Sequence, residues 1–396
     1  MSKPLRICLI LQGSFGHVGG LEYTTNIILA LGSLPSEVRS KLEICLFGDV
    51  SFIEPSLYSR IEPYISNVYN PAIHLERPTI QNRLRWKISS FVFKKQYPMY
   101  DTFFKKESID FVYPYFSLTK SSSYRSAALI YDFQHKYLPE FFTQDEIEKR
   151  DKLCSSIASN ASAIVLSSKD AESDFHKFFP EGNLKTKVLS FHTRPSPEWY
   201  EANPIKTQKE YHLPERFFLL SNQFWQHKNH CLVFEALKIL QEQSIFPNIV
   251  FTGGIFDYRQ PDYSNKILQI IHKFGIAKQV YLLGLIPKFD QIQIMRLSLA
   301  VIQPSLFEGW STLVENAKCL GKSIILSDLP VHKEQNPPNS IFFERNSPNH
   351  LASLLAKYWE DSSPTPNLEQ EKIARKNNLN EIQNFGYRFL EIAQAY

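Results

Sequence analysis

The chain has 396 residues, which is more than one ordinary hydrophobic core requires, so its length predicts two domains. Its 43% hydrophobic and 21% charged residues are typical of a soluble globular protein, and no apolar run is long enough for a transmembrane helix. The net charge of +4 is too small to indicate a nucleic-acid partner.

The first residues and the cysteines predict a cytoplasmic protein. The apolar run from Leu5 to Leu11 is too short and wrongly flanked for a secretory signal, so we interpret it as the first core strand. The five cysteines are scattered, odd in number and without the paired spacing of a metal site. This usage fits a reducing compartment and predicts no bound metal.

Short β-branched and aromatic runs alternate with longer segments of helical period, and this alternation predicts an α/β fold with parallel sheets covered by helices. Four prolines between Thr193 and Pro214 predict an interdomain linker. The strands predicted before that linker are Leu5 to Leu11, Leu42 to Phe47, Asp110 to Tyr113, Ala127 to Tyr131, Ala163 to Leu166 and Lys187 to Leu189.

The alternation resumes after the linker and predicts a second doubly wound domain. Helices are predicted from His230 to Gln241 and from Tyr263 to Phe274, and a last amphipathic segment from about Leu368 to Ala395. In such sheets ligands bind beyond the carboxyl ends of the strands. The predicted strands are Phe217 to Leu220, Ile249 to Phe251, Val280 to Leu283, Ala300 to Ile302 and Ile324 to Leu326.

The most informative loop follows the strand from Ala300 to Ile302. Glu308 and Gly309 precede two hydroxyl residues at a predicted helix start. Such a turn can present backbone N–H groups to an anion, and the helix dipole adds attraction for negative charge. Glu308 lies before the helix, where its carboxylate can accept hydrogen bonds from ligand hydroxyls.

An ordinary capped helix is the alternative interpretation of this loop. The residues from Thr312 to Glu315 match a capping box, in which Glu315 bonds to the backbone of its own helix. From this pattern alone the two interpretations are equally good.

The run from Pro304 to Thr312 (PSLFEGWST), continued from Gly321 to Asp328 (GKSIILSD), closely resembles the donor-site motif of the retaining GT-B glycosyltransferases of family 4. The resemblance extends over nearly the whole chain. It implies two Rossmann-like, doubly wound domains that face a central cleft. Residues 1–200 would form the acceptor-side domain, residues 201–366 would bind the nucleotide sugar, and the helical segment 367–396 would pack back toward the first domain.

Two glutamates separated by seven residues contact the donor in that family, the first facing the sugar and the second the ribose. The resemblance assigns the first role to Glu308. Asn316 holds the second position and Glu315 lies one residue earlier, so either is a candidate for the ribose contact. The donor-binding set also includes the residues that follow the first glutamate, namely Gly309, Trp310, Ser311 and Thr312.

Two further loops of the second half are expected to contact the donor. Lys228 matches the phosphate-binding lysine of the family, and a lysine there stabilises negative charge on a departing diphosphate. The family's arginine five residues earlier is replaced by Gln223, and Arg259 is one candidate to compensate. By resemblance, Gly284 and Leu285 offer backbone groups to the nucleobase.

The first half supplies a glycine pair and an acceptor-side loop. Gly19 and Gly20 resemble the family's glycine-rich loop, whose backbone approaches the donor diphosphate from the opposite domain; without Cβ atoms they allow that approach. Asp132 and His135 lie in a loop that resembles an acceptor-side loop of one subgroup, in which Tyr131 replaces a frequent histidine. His135 is a candidate to orient hydroxyls, and a structural histidine is the alternative.

A basic and aromatic stretch in the first half also has two interpretations. Residues 76–106 contain eight Lys or Arg and two acidic residues, a net charge of +6. The run from Arg83 to Lys95 could lie on the inner face of a membrane and reach a lipid-linked acceptor, since Lys and Arg flank Trp and Phe. The alternative is a core-packed helix with a solvated basic face.

These features predict a hexosyltransferase that moves a hexose or deoxyhexose from a UDP- or GDP-linked sugar to a hydroxyl of a glycan or lipid-linked oligosaccharide, as in polysaccharide or lipopolysaccharide biosynthesis. By resemblance it retains the anomeric configuration and needs no metal or other cofactor. The alternatives are a GT-B-like phosphorylase, a sugar-nucleotide epimerase, and an inactive sugar-nucleotide binding module. The departures at Gln223, Asn316 and Tyr131 keep the binding module open as an alternative.

Overall fold

A computed structural model of the protein describes residues 3–11, 18–74, 101–115, 123–180, 186–257 and 259–395. The chain divides into two compact units. Unit 1 contains Met1–Asp132, Glu148–Arg194 and Asn380–Tyr396, and unit 2 contains Phe133–Ile147 and Pro195–Leu379. The short segment 133–147 therefore packs with unit 2, although it lies in the first half of the sequence. The basic run from 83 to 95 lies outside the described residues.

Unit 1 contains a five-stranded parallel sheet in the order β3-β2-β1-β4-β5 and a three-stranded parallel sheet in the order β6-β7-β8. The strands are β1 Leu5–Ile10, β2 Leu42–Phe47, β3 Asn67–Tyr69, β4 Phe111–Tyr113, β5 Arg125–Ser126, β6 Ala128–Ile130, β7 Ile164–Leu166 and β8 Thr186–Val188. The α-helices are Val18–Gly32, Ser36–Arg39, Pro55–Ile61, Pro71–His74, Asp101–Lys106, Gln144–Asn160 and Lys169–Phe178, with single 3₁₀ turns at Val50–Phe52 and Glu62–Tyr64.

Unit 2 is built on a six-stranded parallel sheet in the order β11-β10-β9-β12-β13-β14. Its strands are β9 Phe218–Ser221, β10 Ile249–Thr252, β11 Val280–Leu282, β12 Val301–Gln303, β13 Ile324–Ser327 and β14 Ser340–Phe343. Its helices are Gln134–Tyr137, Glu198–Glu201, Pro204–Glu210, His230–Glu242, Tyr263–Phe274, Lys288–Leu297, Thr312–Cys319, Pro330–Gln335 and Pro348–Asp361, with 3₁₀ turns at Pro139–Phe141, Gln226–Lys228 and Ala277–Gln279. The long helix Leu368–Ala395 begins in unit 2 and ends in unit 1.

Both faces of the six-stranded sheet are covered, which explains its nearly continuous apolar strands. Successive side chains of a strand point to opposite faces. Accordingly Phe218 and Leu220 belong to one buried cluster, while Phe217 and Leu219 belong to the other. Each cluster is completed by helices that connect consecutive parallel strands. The sequence pattern of buried parallel strands is therefore confirmed in this unit.

The predicted strands are all present, with ends that shift by at most one residue. The strands β3, β5 and β14 were missed. Two of them have only two or three residues, and their conformation depends on pairing with a neighbour more than on a local pattern. The predicted linker contains two short helices, Glu198–Glu201 and Pro204–Glu210, and is thus more ordered than its proline content indicated.

A buried ion pair holds the start of the last helix against unit 2. Arg296 donates from Nε and Nη2 to the two carboxylate oxygens of Glu371 at 2.7 and 3.1 Å. Both side chains are almost fully buried. The same guanidinium donates to the carbonyl oxygens of Ala202 and Tyr200, so its hydrogen-bonding capacity is largely used.

We expect Glu371→Ala to lower the free energy of unfolding by about 3 to 5 kcal/mol, because it leaves a buried guanidinium without its counterion. Urea denaturation of the full-length protein checks this. Glu369→Ala, which changes an exposed carboxylate two residues earlier, is the matched control and should cost well under that amount. Replacing both partners, as Arg296→Met with Glu371→Leu, should recover most of the loss; a double variant as unstable as Glu371→Ala would contradict this explanation.

Within the described residues, no helix combines the length and apolarity that a membrane crossing requires. All five cysteines are free thiols, and four of them are buried.

Candidate active site

The strand order of unit 2 defines where a ligand is expected. From β9 the chain first adds β10 and β11 on one side and then returns to add β12, β13 and β14 on the other. Loops that leave β9 and β12 therefore diverge to opposite faces of the sheet and open a crevice at their carboxyl ends. Lys228 lies in the loop after β9, and Glu308 lies in the loop after β12. The two strongest sequence candidates thus flank the same crevice.

The backbone of the β9 loop fixes the position of Lys228. The residues Gln226–Lys228 form a 3₁₀ turn, and Asn229 adopts a left-handed conformation with φ of 57° before the helix His230–Glu242 begins. Asparagine tolerates this region better than most residues. The N–H of Leu306 donates to the carbonyl oxygen of His227 at 2.8 Å, which joins this loop to the loop that carries Glu308.

Lys228 and Glu308 form a short ion pair. The ammonium Nζ of Lys228 donates to Oε1 of Glu308 at 2.6 Å, and the side chains are 16% and 8% exposed. The same carboxylate oxygen accepts from Gln303 Nε2 at 2.7 Å and from Ser305 Oγ at 2.6 Å. Three donors on one oxygen hold the carboxylate in one orientation, while Oε2 has no hydrogen bond to the described residues and can accept one.

Gln303 connects the two loops through its side-chain amide. Its Oε1 accepts from Asn222 Nδ2 at 2.7 Å, at the end of β9. Its Nε2 donates to Glu308 and also lies 3.1 Å from Ser311 Oγ at the start of the following helix. Gln303 is fully buried, so these bonds satisfy an amide that would otherwise be costly to bury.

Glu308 stays ionised because its partners outweigh its burial. Burial raises the pKa of this carboxyl, but the charge of Lys228 and the hydrogen bonds from Lys228 and Ser305 lower it, and the net direction is below the ordinary value. A carboxyl with a lowered folded-state pKa stabilises the protein above its unfolded-state pKa. That contribution disappears as the pH falls through the folded-state pKa.

We therefore expect the stability difference between the wild type and Glu308→Gln to depend on pH. The contribution of the ionised carboxylate should be constant from neutral pH down to the ordinary glutamate value of 4.5 and should be lost below it. Chemical denaturation at a series of pH values between about 3 and 7 measures the difference. Glu235→Gln, on the exposed face of the helix His230–Glu242, is the control. A difference that stays constant through the acid range would show that Lys228 does not stabilise the charged carboxylate.

The helix after Glu308 begins one residue earlier than the capping-box pattern predicted. Ser311 is the N-cap, and its Oγ accepts from the N–H of Val314 at 3.4 Å. Thr312 is the first helical residue, so the capping box from Thr312 to Glu315 is wrong. Glu315 Oε1 instead accepts from Gln335 Nε2 at 3.0 Å. The reason is that the buried Gln303 amide and the Gln335 side chain both bond to Ser311, which fixes it as the cap.

Both candidates for the ribose contact are buried in this helix. Glu315 is 1% exposed and Asn316 is 2% exposed. Since Gln335 already occupies one carboxylate oxygen of Glu315, a ligand would compete with or share that bond. The assignment of the ribose contact to either residue stays a prediction.

Gly284 and Leu285 follow β11, as the sequence predicted. Gly284 has a positive φ of 68°, and its carbonyl oxygen accepts from the N–H of Gly253 at 2.7 Å. Gly253 itself has no room for a side chain, because a Cβ there would lie 2.2 Å from the carbonyl oxygen of Asn222. Leu285 is 76% exposed. A role for the two residues with the nucleobase is a prediction that the geometry does not test.

Arg259, suggested as a substitute for the cation missing at Gln223, has a different environment. Its Nε lies 3.2 Å from Asp257 Oδ1, and both side chains are nearly fully buried. Its guanidinium also lies over the rings of Trp225 at 4.7 Å and Phe142 at 5.3 Å. A neutralised and enclosed guanidinium is a poor second cation for a diphosphate. Through its contact with Phe142, Arg259 instead joins the segment 133–147 to the rest of unit 2.

The remaining candidates lie in other parts of the chain. Gly19 and Gly20 lie in the first turn of the helix Val18–Gly32, and a Cβ at Gly19 would meet no atom of the described residues within 4 Å. Asp132 is the last residue of its segment in unit 1, whereas His135 belongs to unit 2. The imidazole of His135 is 2% exposed and lies near the rings of Phe133 and Phe142, both at 6.5 Å.

Tyr137 lies in the same segment as Phe142, and its ring stacks on that of Phe307 with a centroid distance of 5.6 Å. Phe307 immediately precedes Glu308. The segment 133–147 therefore borders the candidate site of unit 2.

Several polar residues of the site were not predicted from the sequence. The sequence signal for Gln303 is that a polar residue ends an apolar strand, but this signal is not specific because many strands end in a polar residue. The others carry no pattern of their own: Asn222, Ser305, Ser327, His332 and Gln335. Among the described residues, no group of three or more His, Cys, Asp or Glu side chains is placed to hold a metal ion. Metal independence stays a prediction of the resemblance.

Residues 203–378 match the family model of glycosyl transferases group 1, which is a little under half of the chain. The match covers the whole six-stranded sheet and contains both Lys228 and Glu308. No curated protein sequence matches the chain.

Solved structures share the fold over nearly the whole chain, among them those of the following three proteins. HepE from Anabaena, in complex with UDP and glucose, superposes with a TM-score of 0.64 at 16% identity, covering 98% of this chain and 99% of that one. Sucrose-phosphate synthase from Thermosynechococcus elongatus gives 0.65 at 15% identity, covering 99% and 98%. A glycosyltransferase from Rickettsia africae gives 0.62 at 13% identity, covering 99% and 98%. The chain thus has the GT-B fold with two Rossmann-like domains, and the family match indicates a glycosyltransferase.

Proposed function

We propose that this protein transfers a hexose or deoxyhexose from a nucleotide diphosphate sugar to a hydroxyl of a glycan or lipid-linked oligosaccharide, with retention of the anomeric configuration and without a metal. The observation that carries the proposal is the ion pair between Lys228 and Glu308 at the crevice of the six-stranded sheet. It places one cation and one fixed carboxylate where a doubly wound sheet binds its ligand.

Lys228 stabilises the leaving group in this proposal. Breaking the glycosidic bond leaves additional negative charge on the diphosphate, and a nearby ammonium lowers the energy of that state more than the energy of the bound donor. The N-terminus of the helix Thr312–Cys319 adds partial positive charge from the same side. In the ligand-free protein the carboxylate of Glu308 neutralises the ammonium, and an incoming diphosphate competes for it.

Glu308 positions the sugar. Its Oε1 is occupied by Lys228, Gln303 and Ser305, so its orientation is fixed before the donor binds. A preorganised acceptor loses little entropy when a sugar hydroxyl donates to it, and it holds the anomeric carbon near the attacking acceptor. Either Glu315 or Asn316 then contacts the ribose.

The donor nucleotide is proposed to be UDP, because the Anabaena protein HepE with a similar fold is in complex with UDP and glucose. GDP remains the alternative. The nature of the acceptor and the retention of configuration rest on the sequence resemblance of the segment from Pro304 to Asp328.

A screen of sugar nucleotides tests the proposal. The protein is mixed in turn with UDP-, GDP- and ADP-linked hexoses, and the melting temperature is measured; a ligand present at 100 times its Kd adds about 2.7 kcal/mol of stability. The stabilising donor is then incubated with simple glycosides, and proton NMR of the product reports the anomeric configuration. Absence of both hydrolysis and transfer with every donor would contradict the assignment. Stabilisation without turnover would favour the sugar-nucleotide binding module instead.

A further inference from the structure

His332 is a fully buried histidine next to the charged pair that none of the preceding roles uses. It lies in the short helix Pro330–Gln335 that follows β13. Its side chain is 0% exposed. Hydrogen bonds connect it to the ion pair: Nδ1 of His332 contacts Ser327, the Ser327 hydroxyl donates to the carbonyl oxygen of Ser305, and the Ser305 hydroxyl donates to Glu308. The charges of Glu308 and Lys228 act on the imidazole in opposite directions. Burial lowers the pKa of His332 below its ordinary value, so the ring is neutral near pH 7.

The hydrogen bonds of Ser327 determine the tautomer of His332. Nδ1 lies 2.9 Å from the carbonyl oxygen of Ser327, and a carbonyl oxygen can only accept. Nδ1 therefore carries the proton and donates it. The Ser327 hydroxyl lies 3.2 Å from Nδ1 and donates to the carbonyl oxygen of Ser305 at 2.7 Å, so its own proton is also used.

Nε2 of a neutral imidazole protonated on Nδ1 is an acceptor without a proton. This Nε2 is buried and has no hydrogen-bond partner among the residues that the structure describes. A buried acceptor without a partner costs free energy, and such groups in native proteins call for an explanation. Because the two ring nitrogens lie on different edges of the imidazole, Nε2 faces away from Ser327.

Two hydrogen-bond acceptors define which kind of ligand could bind to Nε2 of His332. Nε2 of His332 and the carboxylate of Glu308 both accept and neither donates, so they repel a phosphate or carboxylate oxygen. They suit a ligand with neighbouring donors, and a pyranose ring offers adjacent hydroxyls. The diphosphate is attracted elsewhere, to Lys228.

We propose that Nε2 of His332 accepts a hydrogen bond from a hydroxyl of the donor sugar, which makes His332 a residue that determines sugar specificity. The proposal rests on the proposed function, and it adds a contact that distinguishes sugars by the position of one hydroxyl. A site built to hydrogen-bond a hydroxyl rejects an analogue that lacks it.

The test compares two amide variants, each of which keeps a polar group near one ring nitrogen. Calorimetry measures their affinity for UDP and for the sugar nucleotide that stabilises the wild type most. His332→Asn keeps a donor near Nδ1 for Ser327 and has no atom in place of Nε2. His332→Gln places an amide oxygen near Nε2. We expect His332→Asn to weaken binding of the sugar nucleotide by about three- to tenfold while UDP affinity is unchanged, and His332→Gln to recover part of the loss.

A series of deoxy-sugar nucleotides completes the test with the wild type itself. The analogue that lacks the hydroxyl bound by His332 should bind to the wild type more weakly than the full sugar nucleotide, by about the same factor as the loss in His332→Asn. Its affinity should be no lower in His332→Asn than in the wild type, because the deoxy analogue and the substitution remove the same hydrogen bond. His230→Asn is the control, since His230 is equally buried, has no hydrogen-bond partner in the described residues and stacks on Phe224 at 4.1 Å. It should not change the affinity for sugar nucleotide relative to UDP.

Equal effects of His332→Asn on UDP and on the sugar nucleotide, no effect on either, or the same selective loss in His230→Asn would each overturn the proposal. A protein that binds no sugar nucleotide at all would contradict the proposed function itself, which is a different outcome. If His332→Asn does not fold, the affinities of the deoxy series for the wild type and for His332→Gln decide the question. Equal losses of affinity at every deoxy position in both proteins would exclude a hydrogen bond from a sugar hydroxyl to His332.

Discussion

Replacing Lys228 with alanine should lower kcat by about 100- to 1,000-fold, the usual loss when one preorganised group that stabilises transition-state charge is removed. Lys228 lies in the β9 loop with its ammonium 2.6 Å from the Glu308 carboxylate, inside the crevice where the diphosphate is proposed to bind. The loss should appear mainly in kcat, because negative charge on the diphosphate grows as the glycosidic bond breaks. Steady-state kinetics with the donor found in the screen measures it.

Lys238→Ala is the matched control for Lys228→Ala. Lys238 lies on the helix that follows the same loop, and its ammonium pairs with Glu242 at 3.4 Å on a partly exposed surface. An exposed pair of this kind contributes less than about 1 kcal/mol, so the rate should stay within about twofold of the wild type. Comparable rates for Lys228→Ala and the wild type would exclude Lys228 from leaving-group stabilisation.

Changing Glu308 to glutamine should lower kcat/KM by about 10- to 100-fold, while UDP affinity is kept or increases. Glutamine has nearly the same shape, but it is neutral, so sugar hydroxyls lose a charged acceptor. Lys228 also loses its counterion in the ligand-free protein and becomes more available to the diphosphate. Opposite changes in turnover and nucleotide affinity separate this explanation from simple unfolding.

Glu235→Gln serves as the control for Glu308→Gln, since it removes a carboxylate from the exposed face of a neighbouring helix. Isothermal calorimetry with UDP and initial rates with the full donor are measured on both variants. If Glu308→Gln loses UDP affinity in proportion to its turnover, the carboxylate acts on the nucleotide or on the fold and does not position the sugar.

The ion pair and its amide network explain why the crevice is prepared for a donor before one binds. Gln303 bonds to the end of β9 through Asn222 and to Glu308 in the β12 loop. A change in either loop is therefore transmitted to both charged residues. Substituting Gln303 removes the connection without touching a proposed ligand contact, which makes it a residue that positions others.

The regular elements of this protein follow from local patterns in the chain. The helix Tyr263–Phe274 has the predicted bounds because its apolar residues recur at helical spacing and Gly275, with φ of 67°, ends it. Strands such as β2 are apolar runs long enough to identify without a partner. The strand β3 is too short for that and is ordered by its pairing with β2.

The sequence by itself determined the alternation of strands and helices, the loops that carry Lys228 and Glu308, and the class of protein that the motif from Pro304 to Thr312 indicates. These are local properties, since propensity, periodicity and motif spacing act over a few residues. Only the tertiary structure decided that the two side chains meet, 80 positions apart, in a 2.6 Å ion pair. It also decided which polar residues were buried with them, because burial and hydrogen-bond partners depend on parallel pairing of β9 with β12. Nε2 of His332, which has no hydrogen-bond partner among the described residues, also depends on the tertiary structure, because the backbone carbonyl oxygen of Ser327 defines the tautomer of the ring.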